Sequence, residues 1–285
     1  MDNNQKTKKS NLLSAYYRQP KIYMKLPSKG DFYSNESLDK SVTNDYAVYA
    51  MTAKDELMLK TPDALLNGQS TVEVIKSCIP AIQDPWKMPS IDVDACLIAI
   101  RIATYGDTME LSTNCPHCQA ENTYGMNLVN WLDRMTAFSY APQVEVEPLV
   151  VHIRPYTYRE MTDTSLKTIE HQKIFQIIND SALSDGEKLK QFGESFAKLT
   201  EMTVDVVARC VAKISTPDGE TSDHNEISEF LHNAPKEVFA KISEHISNLK
   251  SQIDIPAQDV KCNECEKEFV MPISMDQSNF FAVRS

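Results

Sequence analysis

A chain of 285 residues, 42% hydrophobic and 24% charged, carries enough apolar material for one large core or two ordinary ones. Seven glycines are few for that length, which argues against glycine-rich phosphate loops and all-β architectures and favours a helix-rich fold. A formal net charge of −11 speaks against wholesale nucleic-acid binding, because neutralising phosphates needs a basic face.

The exception to the acidic balance is local. Lys6, Lys8, Lys9 and Arg18 make residues 1–20 a basic, polar arm, expected to be flexible and either solubilising or ordered against an acidic partner. No apolar run reaches the roughly 18 residues of a membrane span, and the arm lacks the apolar segment of a signal peptide. The expectation is a protein that stays in the cytosol where it is made. Its thiols are then reduced, and paired cysteines are weighed first as metal ligands.

In KIYMKLPSKGDFY, Ile22, Met24 and Leu26 alternate with polar residues, Ser28-Lys29-Gly30 turns, and YAVYAM at 46–51 supplies a second strand. Helix signals follow. Thr52 can cap TAKDELMLK, Thr61-Pro62 opens another short helix, and Asn67-Gly68 stops it. In SIDVDACLIAIRIATYG, Ser90 is the expected cap and Gly106 the stop. Apolar residues nearly surround that helix, which predicts the buried centre of its unit. Arg101 is its one strong charge, expected to snorkel or to meet a local carboxylate, with a partner contact as the alternative.

NLVNWLDRM reads as a short helix and EVEPLVVHIRP, residues 145–155, as a strand. Capping-box signals at Thr157/Glu160, Ser184/Glu187 and Asp223/Glu226 mark three helix starts. The second opens a stripe of Leu189, Phe192, Phe196 and Leu199, continued by Val206, Val207, Cys210, Val211 and Ile214. TPDGE at 216–220 is a turn, and the last helices span about 226–231 and 235–253.

NCPHC, with Cys115 and Cys118, has a single echo in KCNEC, with Cys262 and Cys265, across the whole of residues 119–261. Extended residues flank both pairs, as in two hairpins that converge on one tetrahedral ion. Sequence distance is weak evidence against a shared site when a domain can be inserted at a loop. Cys-Pro-His-Cys is also a redox tetrapeptide, but that chemistry needs a helix starting at the pair, and QAENTYG is poor helix material. Unpaired structural cysteines are the remaining alternative. Rubredoxin-type iron is less favoured because Gln119 and Glu266, not glycine, follow the pairs, although spacing alone does not separate zinc from iron. A closed four-thiolate site leaves no position for a reacting water, so the zinc predicted here is structural.

Cys78, Cys96 and Cys210 sit in apolar helical patterns as small core residues, and His117 is a spacer. His152, His171, His224, His232 and His245 show no HExxH spacing, and there is no nucleophile elbow or P-loop. No catalytic constellation emerges.

The run MKLPSKGDFY, then MTAKDELMLKTPDALLNGQS, VIKSCIP and IDVDACLIAIRIATYG leading into CPHC, closely resembles the T-even-type baseplate proteins of contractile-tailed bacteriophages. The likeness is strong over about residues 20–125 and weaker through HIRPYTYREMT and ISEFLHNAP, and the closing CNEC is consistent with the family's longer members. It implies a non-enzymatic protein of the baseplate hub or its assembly, in contact with other tail proteins and conceivably the tape-measure protein. A chaperone released before the particle is complete would look similar. Assembly in the host cytoplasm and residence in the virion tail are the implied locations.

The expected fold is α+β and predominantly α-helical. A flexible arm (1–20) precedes an N-terminal β plus helical domain (21–110). Two halves of a split zinc ribbon (111–126 and 258–274) flank an inserted, mainly helical domain (127–257), and a C-terminal tail (275–285) follows.

Overall fold

The alternation in KIYM sets the first pairing. In the computed structural model, which describes residues 13, 16–60, 68–178, 185–273 and 280–281, β1 (Pro20–Met24) runs antiparallel to β2 (Tyr46–Tyr49). Met24 and Val48 are buried. The turn after β1 holds Lys29, Gly30 and Phe32 at φ of 57°, 78° and 67°. That region costs a side-chain-bearing residue roughly 1–2 kcal/mol. A buried carboxylate fixes the turn: Asp92 accepts the Ser28 N–H at 2.8 Å, the Ser28 hydroxyl at 2.5 Å and the Tyr33 hydroxyl at 3.0 Å. Burial pushes the Asp92 carboxyl up to about 6, against the pull of those three donors.

Thr52 caps α1 (Ala53–Leu59) as predicted, and Asp55 closes a full capping box with it. The helix expected at Thr61-Pro62 and the stop at Asn67 lie outside the described residues. Gly68 caps the start of α2 (Gln69–Cys78) at φ 76°. A Cβ there would meet the Tyr158 and Thr162 hydroxyls at 3.1 and 3.2 Å, so the position needs glycine for space as well as conformation.

α3 (Ser90–Tyr105) is the buried centre, with an unbroken run of buried residues from Ala95 to Arg101. Its cap is Pro89 rather than Ser90, and Gly106 at φ 99° ends it as predicted. β1, β2 and α2 pack around it, with α4 (Leu128–Ala137) and α5 (Tyr158–Ile178), which is why its sequence is apolar nearly all round. Arg101 neither snorkels nor meets a carboxylate among the described residues. It is 7% exposed and donates to the Phe280 carbonyl.

The second half holds more β structure than its sequence pattern implied. EVEPLVVHIRP is two strands, β5 (Gln143–Val146) and β6 (Leu149–Ile153), rather than one. β7 (Val211–Thr216) and β8 (Gly219–Thr221) complete a four-stranded antiparallel sheet in the order β5-β6-β7-β8. The apolar stripe expected to stay helical through Val211 and Ile214 changes period at Cys210. α6 (Asp185–Cys210) ends there, and Ile214 pairs with Val151. A β-branched apolar run fits either period, and the free edge of β6 decides it.

α5 and α6 pack on each other between β6 and β7. The Thr157/Glu160 box forms, and Glu160 also takes a bidentate pair from Arg154 at 2.8 and 3.0 Å. Ser184 of the second box and the Leu189 and Phe192 side chains lie outside the described residues; Phe196 is 61% exposed. At the third box Asp223 caps α7 (His224–Asn233), but Glu226 accepts from the Thr221 hydroxyl instead of closing the box. Ile227 and Leu231 of α7 and Ile242, Leu249 and Ile253 of α8 (Lys236–Ile253) are buried with Val144, Val151 and Ile214 of the sheet. α8 then leads to β9 (Gln258–Lys261) and β10 (Glu268–Met271).

The chain is a mixed α/β protein with eight α-helices and four small sheets among the described residues. No described helix is long and apolar enough to cross a membrane.

Candidate metal centre

Gly106 frees the chain from α3 and lets it enter a long hairpin. β3 (Thr108–Asn114) pairs with β4 (Glu121–Asn127) through seven register positions, and Cys115 follows the last residue of β3. β9 and β10 form a shorter hairpin, with Cys262 following Lys261. The two turns are built alike. The Cys115 N–H donates to the Ala120 carbonyl at 2.9 Å and the Gln119 N–H to the Cys115 carbonyl at 2.9 Å. At the other turn the Cys262 N–H donates to Lys267 at 3.0 Å and the Glu266 N–H to Cys262 at 3.1 Å. Gln119 and Glu266, the residues after each pair, sit at φ 62° and 59°.

These turns bring all four cysteines together, with every sulfur within 4.8 Å of the others. Across the hairpins Cys115 Sγ lies 3.7 Å from Cys265 Sγ, and Cys118 Sγ 3.6 Å from Cys262 Sγ. Four ligands at about 2.3 Å around a tetrahedral ion would stand about 3.8 Å apart. The spacing is too long for a disulfide, and all four thiols are free. The donor set is therefore compatible with a metal ion.

The clustered thiols shift in opposite directions. Backbone donation from Cys265, with further help from Glu264 and the Asn122 amide, pulls the Cys262 thiol down to about 6 against the effect of burial. Cys118 is favoured as thiolate by the Ala120 N–H, yet lost hydration and the three neighbouring sulfurs push it up to about 12. Four thiolates this close repel one another, and a divalent cation is the group that makes them compatible.

Spacing singled out the four sulfurs and missed what locks them together. Asn122 is 2% exposed; its amide donates to Cys262 Sγ at 3.5 Å and its carbonyl accepts the Asn263 N–H at 2.8 Å. The Tyr124 hydroxyl donates to the Lys261 carbonyl at 2.9 Å, and its ring meets Phe269 edge-on. Asn122 and Tyr124 read in sequence as ordinary strand residues, because their partners belong to the other hairpin.

A redox site would need a helix beginning at Cys115, whereas a tight turn and a strand follow. Cys78, Cys96 and Cys210 are buried as expected, and burial raises all three thiols, Cys78 and Cys210 to about 11. His117 is exposed, and its N–H faces Cys115 Sγ at 3.4 Å. His152 lies between Gln143 and Ser215 on the sheet, at 3.3 and 3.5 Å.

Comparison with known proteins gives one positive result. Searches of curated proteins and of solved structures return no match. The family model described as T4 bacteriophage base plate protein matches residues 19–282, from the residue before β1 to the residue after Phe281. The match takes in both cysteine hairpins and everything between them, and the chain belongs to the T4-type phage baseplate protein family.

Proposed function

We propose that this baseplate protein is a non-enzymatic structural component or assembly factor of the baseplate hub, and that Cys115, Cys118, Cys262 and Cys265 hold a structural zinc. The four-sulfur cluster carries the reading: it is closed by its own ligands and offers no open position for a reacting group. Zinc in that cluster pins residues 258–271 to residues 108–127 and sets the ends of the intervening α/β segment side by side. The protein then acts through surfaces that touch other tail and hub proteins. It assembles in the host cytoplasm, and as a structural component it would remain in the tail baseplate.

Two measurements test this. Metal analysis of the purified chain should give about one zinc per chain, with four thiols that become titratable only after chelation. Metal-free protein with a reactive Cys115 would point to thiol chemistry instead. Quantitative mass spectrometry of purified particles should find the chain at a fixed ratio to hub proteins. Its presence in assembly intermediates and absence from finished particles would make it a released chaperone.

A further inference from the structure

Arg101 is the one guanidinium in the middle of the most buried helix. No described carboxylate pairs with it, and its Nε has no hydrogen-bond partner among the described residues. Its Nη1 donates to the Phe280 carbonyl, and the guanidinium carbon lies 5.3 Å from the Phe280 ring centroid and 5.4 Å from that of Tyr105. Phe280 and Phe281 are 3% and 8% exposed and pack edge-on against each other at 5.1 Å.

A permanent core contact would be better made by an apolar side chain, since burying a charge with no counter-ion among the described residues is costly. Arginine suits a different task. Its planar group stacks on aromatic rings while donating to a main-chain carbonyl, and it is comfortable in water when nothing covers it. Both states of the site are then tolerable, which is what an exchangeable contact needs.

We propose that the C-terminal half of α3 carries a peptide-docking socket, centred on Arg101 and Tyr105, that recognises two adjacent aromatic residues through their rings and a backbone carbonyl. Phe280 and Phe281 of this chain are its occupant. The socket holds Phe280 and Phe281 independently of the cysteine cluster, and a segment of the same chemistry presented by a second copy would compete for it. This inference does not depend on the hub assignment.

The test uses the full chain carrying Phe280→Ala and Phe281→Ala, followed by hydrogen exchange read by mass spectrometry. The amides at positions 280 and 281 should exchange at least about tenfold faster and Arg101–Tyr105 should lose protection, while zinc content and protection of Ala95–Ile100 stay as in the parent. A synthetic peptide of residues 274–285, added to that variant, should restore protection at Arg101–Tyr105 saturably. The same peptide with both phenylalanines replaced by alanine should not. Adding Arg101→Ala to the variant should weaken peptide binding about tenfold, the loss of a charged hydrogen bond and a cation–π contact. Collapse of protection at Ala95–Ile100 in the doubly substituted chain would make the aromatic pair part of the scaffold and overturn the proposal. So would a peptide that fails to bind, or one that binds equally well without Arg101.

Discussion

The two cysteine hairpins make the same turn from different material. Pro116-His117 fills one spacer and Asn263-Glu264 the other, yet the closing hydrogen bonds agree to within 0.2 Å and the following φ angles are 62° and 59°. Their foundations differ. The first has seven register pairs and lies between α3 and α4, where Leu128 is fully buried and its N–H donates to the Asp107 carbonyl at 2.8 Å. The second has four register pairs, buries Met271 in the core, and meets the first through the sulfurs, Asn122 and the Tyr124–Lys261 and Tyr124–Phe269 contacts. Both reach the core, the first through Met126 and the second through Met271, but the first is continuous with α3 and α4 at its two ends and has the longer ladder.

The largest expected effect comes from breaking the cluster that joins them. Cys115→Ser and Cys262→Ser should each reduce bound metal from about one ion per chain to near zero, because a structural site, whose whole binding free energy is on the order of 10 kcal/mol, is incomplete without any one of its ligands. In both variants β9–β10, with four register pairs, should lose protection from hydrogen exchange, while β3–β4, with seven and a helix continuing from each end, should keep most of its own. If only one substitution released the metal, the four sulfurs would not be a shared site. Chelation of the parent protein should reproduce the same asymmetric pattern.

Asn122→Ala is expected to come next. It removes a donor to Cys262 Sγ and leaves the Asn263 N–H without its acceptor, at a cost of about 1–3 kcal/mol. Metal affinity, measured by competition with a chromophoric chelator, should fall roughly 10–100-fold, as for other groups that orient metal ligands. Tyr124→Phe should have a smaller effect, about 0.5–1.5 kcal/mol in thermal unfolding, because the lost bond to Lys261 is exposed. An Asn122→Ala variant with unchanged affinity would show that the sulfurs alone set the strength of the cluster.

The comparison also marks what sequence could reveal. Both knuckles, α1 with its cap, α3 and the Thr157 box are local: spacing, capping chemistry and period are written within a few residues. Asn122 and Arg101 are not. The partner of one arrives from residues 262–263 and that of the other from Phe280, and nothing near either residue signals which distant group will meet it. β7 failed for a related reason, since VARCVAKIST has apolar residues that satisfy a helical stripe until β6 offers a free edge. Long-range pairing, rather than propensity, chose between the two periods.

The smallest expected effect is the most direct test of the likeness between the turns. Gln119 and Glu266 are side-chain-bearing residues in left-handed backbone conformation, which glycine adopts without steric cost. Gln119→Gly and Glu266→Gly should therefore each tighten the metal-loaded state by about 0.5–1 kcal/mol, after the added freedom of the unfolded chain is subtracted. The readout should differ between them. Relief at Gln119 acts on the longer hairpin, continuous with α3 and α4, and should appear in global unfolding, whereas relief at Glu266 acts on the shorter hairpin and should appear as slower metal release. Equal effects on metal release would mean that both hairpins depend on the cluster alike, and that the first gains nothing from its seat between α3 and α4.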